Sequence, residues 1–350
     1  MDLSIAAILA QDGITSGAIY ALLALALVLV FSVTRVIFIP QGEFVAFGAL
    51  TMAALQSNRF PHLATLLAVL GVCVFLAEAA SCLRTPERRS TAPRMLTVAA
   101  MKFLVAPMLL VIMLKAISGV TLPMPLQIAV TLTIVVPIGP LIYRLAFQPL
   151  AQASVLVLLT VAVGVHVALI GLGLVMFGAE GSRTIAFTDA RLTLGSLNIP
   201  GQSIVIIATA LALIVALYIY FGRTLSGKAL RATAVNRLGA QLVGIGTTQA
   251  GRLAFTLAAI IGAICGILIA PLTTIYYDSG FLIGLKGFVG AIIGGLGSYP
   301  IAAAGAIAVG LLEAYASFWA SAFKEVIVFT LIIPILLWRS LSSTHVDEEE

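Results

Sequence analysis

The chain carries run after run of apolar residues, each approaching the length that crosses a bilayer, and this repetition leaves few folds open to it. A hydrocarbon core ~30 Å thick needs about 20 residues of helix. Segments near 13–34, 42–57, 61–82, 95–116, 125–147, 152–177, 203–222, 250–276, 281–298, 300–320 and 325–339 meet or approach that length. In lipid a backbone must satisfy its own hydrogen bonds, so only helices and closed barrels span. Long apolar runs without strict alternation specify helices. The expected fold is an all-α integral membrane protein, a polytopic transmembrane helix bundle with broken or short helices and about 9–11 spans. The segments at 42–57 and 325–339 are short enough to be half-helices or tilted helices, and the pair meeting around Gly297 to Pro300 reads as one broken element or two.

Composition supports the same reading. Of 350 residues, 61% are hydrophobic and 9% charged, whereas an ordinary soluble domain carries ~25% charged residues. That is too little charge to clothe a water-facing surface, and too much apolar area for a solvated disordered chain. Lys and Arg number 19 against 14 Asp and Glu, a formal charge of +5. The basic residues are scattered among apolar runs and form no stripe for nucleic acid. Cys73, Cys82 and Cys265 lie within or at the end of apolar runs, which points to neither a disulfide framework nor a metal site. Met1 to Gln11 lacks a basic leader and a small-residue cleavage site, so the first apolar run is expected to remain as a span.

Basic residues also orient a membrane chain, because cytoplasmic loops are enriched in Lys and Arg. The two strongest clusters are Arg84, Arg88, Arg89 and Arg94, and the loop containing Arg223, Lys228, Arg231, Arg237 and Arg252. An even number of expected spans separates them, so both fall on one side. The same parity places Arg35, Arg144 and Arg339 inside, and Arg59, Lys115, Arg183, Arg191 and Lys324 outside. The N-terminus is then outside and the acidic tail, within 340–350, inside. The longest polar outside loop runs from Gly178 to Gln202.

Signs of chemistry are few. Gly222 to Lys228 fits the first seven positions of a phosphate-binding GxxxxGK[ST] loop, but Ala229 stands where a Mg²⁺-holding hydroxyl is required, and an apolar helix precedes it in place of a strand. ATP, if used, must bind elsewhere. His62, His166 and His345 are far apart and sit in no hydrolase motif. His166, mid-span, reads as a helix-to-helix hydrogen-bonding residue, with a ligand or proton-relay role as the alternative. No catalytic residue, metal or cofactor is expected.

Gly280, Gly284, Gly287, Gly290, Gly294 and Gly297 recur at steps of three and four. On a helix they share a face about 140° wide, which suits close helix packing or a translocation path between close helices. Gly13 with Gly17, and Gly262 with Gly266, repeat the pattern. Charges inside spans are costly and normally face the bundle interior. Here they are Glu43, Glu78, Lys102, Lys286 and Glu313, and a buried Lys286 to Glu313 pair is expected to hold helices in register.

Several of these residues also fall in a recognisable order. Gly17 and Tyr20, then Thr34 and Arg35, then Gly42, Glu43 and Phe44, resemble the opening of the branched-chain amino acid ABC transporter permeases. Gly227 and Arg231, Asn236 and Arg237, Ala240, Gly244 and Ile245, Gly284 and Lys286, Gly294 to Ser298, Glu313, and Lys324 with Glu325 follow in that family's order. The resemblance implies one permease domain over 1–350, the pore-forming subunit of a bacterial inner-membrane importer with no chemistry of its own. It implies a second homologous permease, two cytoplasmic ATPases and a periplasmic binding protein as partners, with leucine, isoleucine or valine as substrate.

In such a permease the loop 223–249 would couple to the ATPase, through Arg231, Asn236, Arg237, Ala240, Gly244 and Ile245. Residues 72–135 exceed what the family normally has there, and are expected to be inserted peripheral helices whose arginine cluster meets anionic lipid. Pro40 and Gln41 stand where the family usually has Ala-His, and Trp338 to Leu341 lacks the usual ending. Permeases for urea, short amides or other amino acids resemble these at the same level. An ion-coupled secondary transporter and a structural membrane protein are the readings from other classes.

Overall fold

A computed structural model describes residues 3–84, 92–194 and 197–342. Arg88, Arg89 and the acidic tail from Asp347 to Glu350 lie outside the described residues. Sixteen α-helices follow one another among the described residues: α1 (Leu3–Thr34), α2 (Gln41–Gln56), α3 (Leu63–Arg84), α4 (Ala92–Ala100), α5 (Ala106–Ala116), α6 (Met124–Val135), α7 (Ile138–Ile142), α8 (Val155–Phe177), α9 (Gly201–Arg223), α10 (Leu225–Val235), α11 (Arg237–Leu242), α12 (Thr247–Ile269), α13 (Ser279–Ile293), α14 (Tyr299–Trp319), α15 (Lys324–Thr330) and α16 (Ile332–Ser342). A π-helical turn, Met101–Val105, joins α4 to α5, and another, Tyr143–Phe147, continues α7.

Among the described residues, 8 helical stretches are long and apolar enough to cross a membrane. The other apolar segments form shorter pieces. α2 has 16 residues and α13 has 15, about 24 and 22 Å of helix, less than a bilayer core. Such pieces survive at membrane depth only when protein surrounds them, and nearly all of α2 is buried. The final apolar run is divided at Leu331 into α15 and α16. Around Gly297 to Pro300 the chain makes a hairpin of two helices: Gly295 and Leu296 take φ of 63° and 57°, and Pro300 sits in the first turn of α14. Gly294 is therefore the cap of α13 and Gly297 lies in an exposed turn, so the expected glycine face ends before reaching Gly297.

The centre of the bundle is α1, α2, α12, α13 and α14, packed on one another. Backbones approach closely there because side chains are missing. A Cβ on Gly13 would lie 2.7 Å from the Leu311 Cα, one on Gly17 would lie 2.9 Å from the Ile307 Cα, and Gly48 and Ala263 bring α2 and α12 together in the same way. An aromatic cluster of Phe38, Phe44, Phe147 and Phe255 fills the space where α2, α12 and the π turn meet. α8 and α9 lie at the rim, with only 17% and 11% of their apolar windows buried.

The stretch expected to be an insertion divides in two. The helix from Pro93 to Ala116 is 11% buried, whereas α6 packs on α2 and α12 with Thr131, Ile134 and Val135 buried. After α8 the chain forms a small antiparallel hairpin, β1 (Arg191–Leu194) with β2 (Leu197–Pro200), which apolar periodicity does not signal. Its loop is tied to the bundle. Arg183 donates to the Pro271 and Leu272 carbonyls at 2.9 and 3.1 Å, and the Ile185 amide donates to Gln56 Oε1 at 2.9 Å.

Candidate functional site

Lys286 stands near the middle of α13, 6% exposed, and gathers three other helices around it. Its ammonium donates to Glu313 Oε1 of α14 at 2.6 Å and to Glu325 Oε1 of α15 at 3.1 Å. The Tyr20 hydroxyl of α1 donates to the other Glu313 oxygen at 2.7 Å. With one ammonium and two carboxylates, the cluster carries a formal charge of −1. Lys286 and Glu313 were legible in the sequence as mid-span charges. Glu325 was not, because it stands at the start of a short helix that only the fold brings back to α13.

Glu43 opens α2 and is 1% exposed. A carboxylate in a first helical turn faces the positive end of the helix dipole. Its Oε1 lies 2.7 Å from Nδ1 of His166 in α8. With Glu43 ionised, the imidazole N–H is the donor. The His166 ring also stacks on Phe281, centroids 4.5 Å apart. Glu43 Oε2 and Gln41 Oε1 are buried without a protein hydrogen bond. Both stand at the start of α2, where Gly42 meets Gly280 and Gly284 of α13, so the first turns of two short helices abut inside the bundle. A further ion pair joins Glu78 of α3 to Arg144.

The glycine positions pack against different neighbours. Gly280 and Gly284 face Gly42 of α2, Gly287 faces Leu23 of α1, and Gly290 and Gly294 face Ala306 and Ala302 of α14. A Cβ at Gly287, Gly290 or Gly294 would lie 2.6 Å from the nearest Cβ. α13 is thus wedged among three helices with no room for a side chain along this side.

The basic loop forms α10 and α11, each begun by a side-chain cap. Thr224 accepts from the Gly227 amide at 3.0 Å, and Asn236 accepts from the Gly239 amide at 2.8 Å. The spacing of Ala240, Gly244 and Ile245 has a local cause. The Ile245 amide donates to the Ala240 carbonyl at 2.9 Å, the Gly244 amide to Gln241 at 3.0 Å, and Gly244 takes φ of 84°. That pattern is a Schellman stop, which needs a residue in the left-handed region. Ala240 faces inward at 3% exposure, while Val235, Leu238, Leu242 and Val243 are 86%, 68%, 81% and 75% exposed. Arg231 is exposed and lines a cleft with Arg35 and Leu296. Arg237 donates to the Ala151 carbonyl at 3.1 Å, tying α11 to the chain leading into α8.

Exposed apolar side chains on α10 and α11 thus stand apart from the buried charge cluster, which lies among α1, α13, α14 and α15. The family model described as branched-chain amino acid transport system / permease component matches residues 9–336. The chain belongs to this family. The LivH high-affinity branched-chain amino acid transport system permease proteins of Salmonella typhimurium and Escherichia coli are each 32% identical to it over 207 residues. That match takes in 56% of this chain and 66% of each LivH, so the chain spans a little under two thirds of these relatives' length. BraD of Pseudomonas aeruginosa, of the same description, is 26% identical over 233 residues, 65% of this chain and 76% of BraD.

Proposed function

We propose that this family member is the pore-forming permease subunit of an ATP-driven importer of branched-chain amino acids, seated in a bacterial inner membrane. The observation that carries the reading is the pair α10 and α11, which holds Val235, Leu238, Leu242 and Val243 out into solvent. Exposed apolar residues on short, capped helices need a partner, and an amphipathic helix laid in a groove is a standard way to transmit rigid-body motion. The partner is a cytoplasmic ATPase, one for this chain and one for a second, homologous permease. Arg231, Asn236, Arg237, Ala240, Gly244 and Ile245 shape and hold that pair, and the exposed leucines and valines meet the ATPase.

A periplasmic binding protein delivers substrate at the other end, where the β1–β2 loop lies. The positive-inside distribution puts the α10–α11 end in the cytoplasm and the N-terminus outside. The glycine-packed helices and the charged clusters then move together during the cycle, and the names of the LivH and BraD relatives support branched-chain amino acids as the substrate class. Leu238→Glu with Leu242→Glu should release the ATPase on detergent purification while the chain still inserts. Retention of the ATPase by this variant would remove the docking assignment. Leucine binding by the cognate binding protein tests the substrate, and its preference for urea or an amide would replace it.

A further inference from the structure

We infer that the groove between the α4–α5 helix and the bundle holds an anionic phospholipid, its phosphate at the basic end and an acyl chain along the apolar length. The groove is a cavity of 370 Å³ lined by Leu67 and Gly71 of α3, residues 102–113, and residues from Thr133 to Arg144. Lys102, Arg144 and Arg252 gather at one end of it. Arg144 is paired with Glu78, but among the described residues Lys102 and Arg252 have no carboxylate partner. An adjoining cleft adds Arg94 beside Glu78, Lys102 and Arg144. Among the described residues, four cations against one carboxylate give this corner a formal charge of +3, and a phosphodiester supplies an opposite charge.

Two features of the backbone aim these cations. Lys102 lies in the π turn Met101–Val105 and Arg144 in the π turn Tyr143–Phe147, one on each wall of the groove. π turns inside α-helices recur at functional sites. Both side chains approach the same ring, that of Phe103, with the ammonium 5.5 Å and the guanidinium 5.2 Å from its centroid. Close approach of Phe103 to Gly71 fixes the wall behind it.

The dimensions select the occupant. From Lys102 to Met113 the helix advances about 16 Å, close to the ~15 Å depth of one hydrocarbon leaflet. An acyl chain therefore fits along the groove while its phosphate meets the cations. A partner helix about 10 Å across over the same length would fill roughly three times the cavity. The basic end lies among residues that the charge distribution assigns to the cytoplasm, the side where anionic lipids concentrate. This inference rests on the chain lying in a membrane and not on what it transports.

Native mass spectrometry of the full-length chain, in the assembly in which it is extracted, tests it with dioleoyl phosphatidylglycerol and dioleoyl phosphatidylcholine as probes. The parent should bind phosphatidylglycerol more tightly. Lys102→Gln with Arg252→Gln should weaken that binding roughly thirtyfold, from two charges near a headgroup, and weaken phosphatidylcholine, whose choline offsets its phosphate, by less. If the double variant unfolds, Lys102→Gln alone, at an exposed side chain, should weaken it about fivefold. Ala106→Trp, which fills the groove and keeps every cation, should weaken both lipids. Unchanged phosphatidylglycerol binding in the charge variants would overturn the proposal. So would competition by glycerol phosphate as strong as by the whole lipid, or a protein partner carried through purification and lost only in Ala106→Trp.

Discussion

Replacing Lys286 by Met removes the one cation from a cluster of two carboxylates and a phenol. Lys286 and Glu313 are 6% and 15% exposed, and breaking a pair buried to that degree costs about 3–5 kcal/mol, because the remaining charge is left uncompensated. Glu325 is 34% exposed and pairs at the longer distance of 3.1 Å, while its Oε2 is buried without a partner, so desolvation offsets much of its attraction and its own share is the smaller one, about 0–1 kcal/mol. Lys286→Met should therefore cost several times what Glu325→Gln costs. Glu313→Gln should fall between, since it leaves Lys286 with Glu325 but loses the charge-assisted bond from Tyr20, worth about 1.5–3 kcal/mol. The double variant Lys286→Met with Glu313→Met should cost less than Lys286→Met alone, because one unpaired carboxylate then remains in place of two, and it is the more exposed of them. Denaturant unfolding of the four variants in detergent measures this, with uptake in vesicles alongside. A double variant that costs more than Lys286→Met alone, or a Glu325→Gln cost equal to that of Lys286→Met, would show that the cluster is not a buried pair with a weakly held neighbour.

Gly287→Leu or Gly290→Leu should lose at least about 1–3 kcal/mol to overpacking, with transport falling in step. Gly164→Ala and Gly171→Ala, where a Cβ would meet nothing within 4 Å, should gain up to about 1 kcal/mol from helix propensity, and thermal melts of all four compare them. Asn236→Ala should cost about 1 kcal/mol by removing the α11 cap, read as faster proteolysis of the α10–α11 loop. In a cysteine-free background, Leu238→Cys should react with an impermeant thiol reagent only from the cytoplasm and Ser118→Cys only from outside; labelling of both from one side would refute the assigned orientation.

Much of the bundle was legible because lipid imposes a length. Runs of about twenty apolar residues announce spans wherever they occur. Arg35, Arg231 and Leu296 line one cleft, and Arg183 bonds the Pro271 carbonyl. The Lys286 and Glu313 partnership was readable from charge alone. The Glu43 to His166 bond was not, since its partners are 123 residues apart and nothing in either helix points to the other. Glu78 with Arg144 escaped for the same reason.

By itself the sequence determined that this chain is a membrane bundle, where its long helices lie, and which residues are too small or too charged to be placed at random. Those follow from local quantities: the apolar length of a run, the spacing of glycines, and the charges that interrupt an apolar run. The tertiary structure decided which helices are short pieces enclosed by protein, which glycine meets which neighbour, and which charges share a site. Apolar surface is equally satisfied by lipid or by protein, so periodicity cannot say which side of a helix is enclosed. Only the close approach of α2, α13 and α14, and the cost of an unpaired charge between them, separates the two.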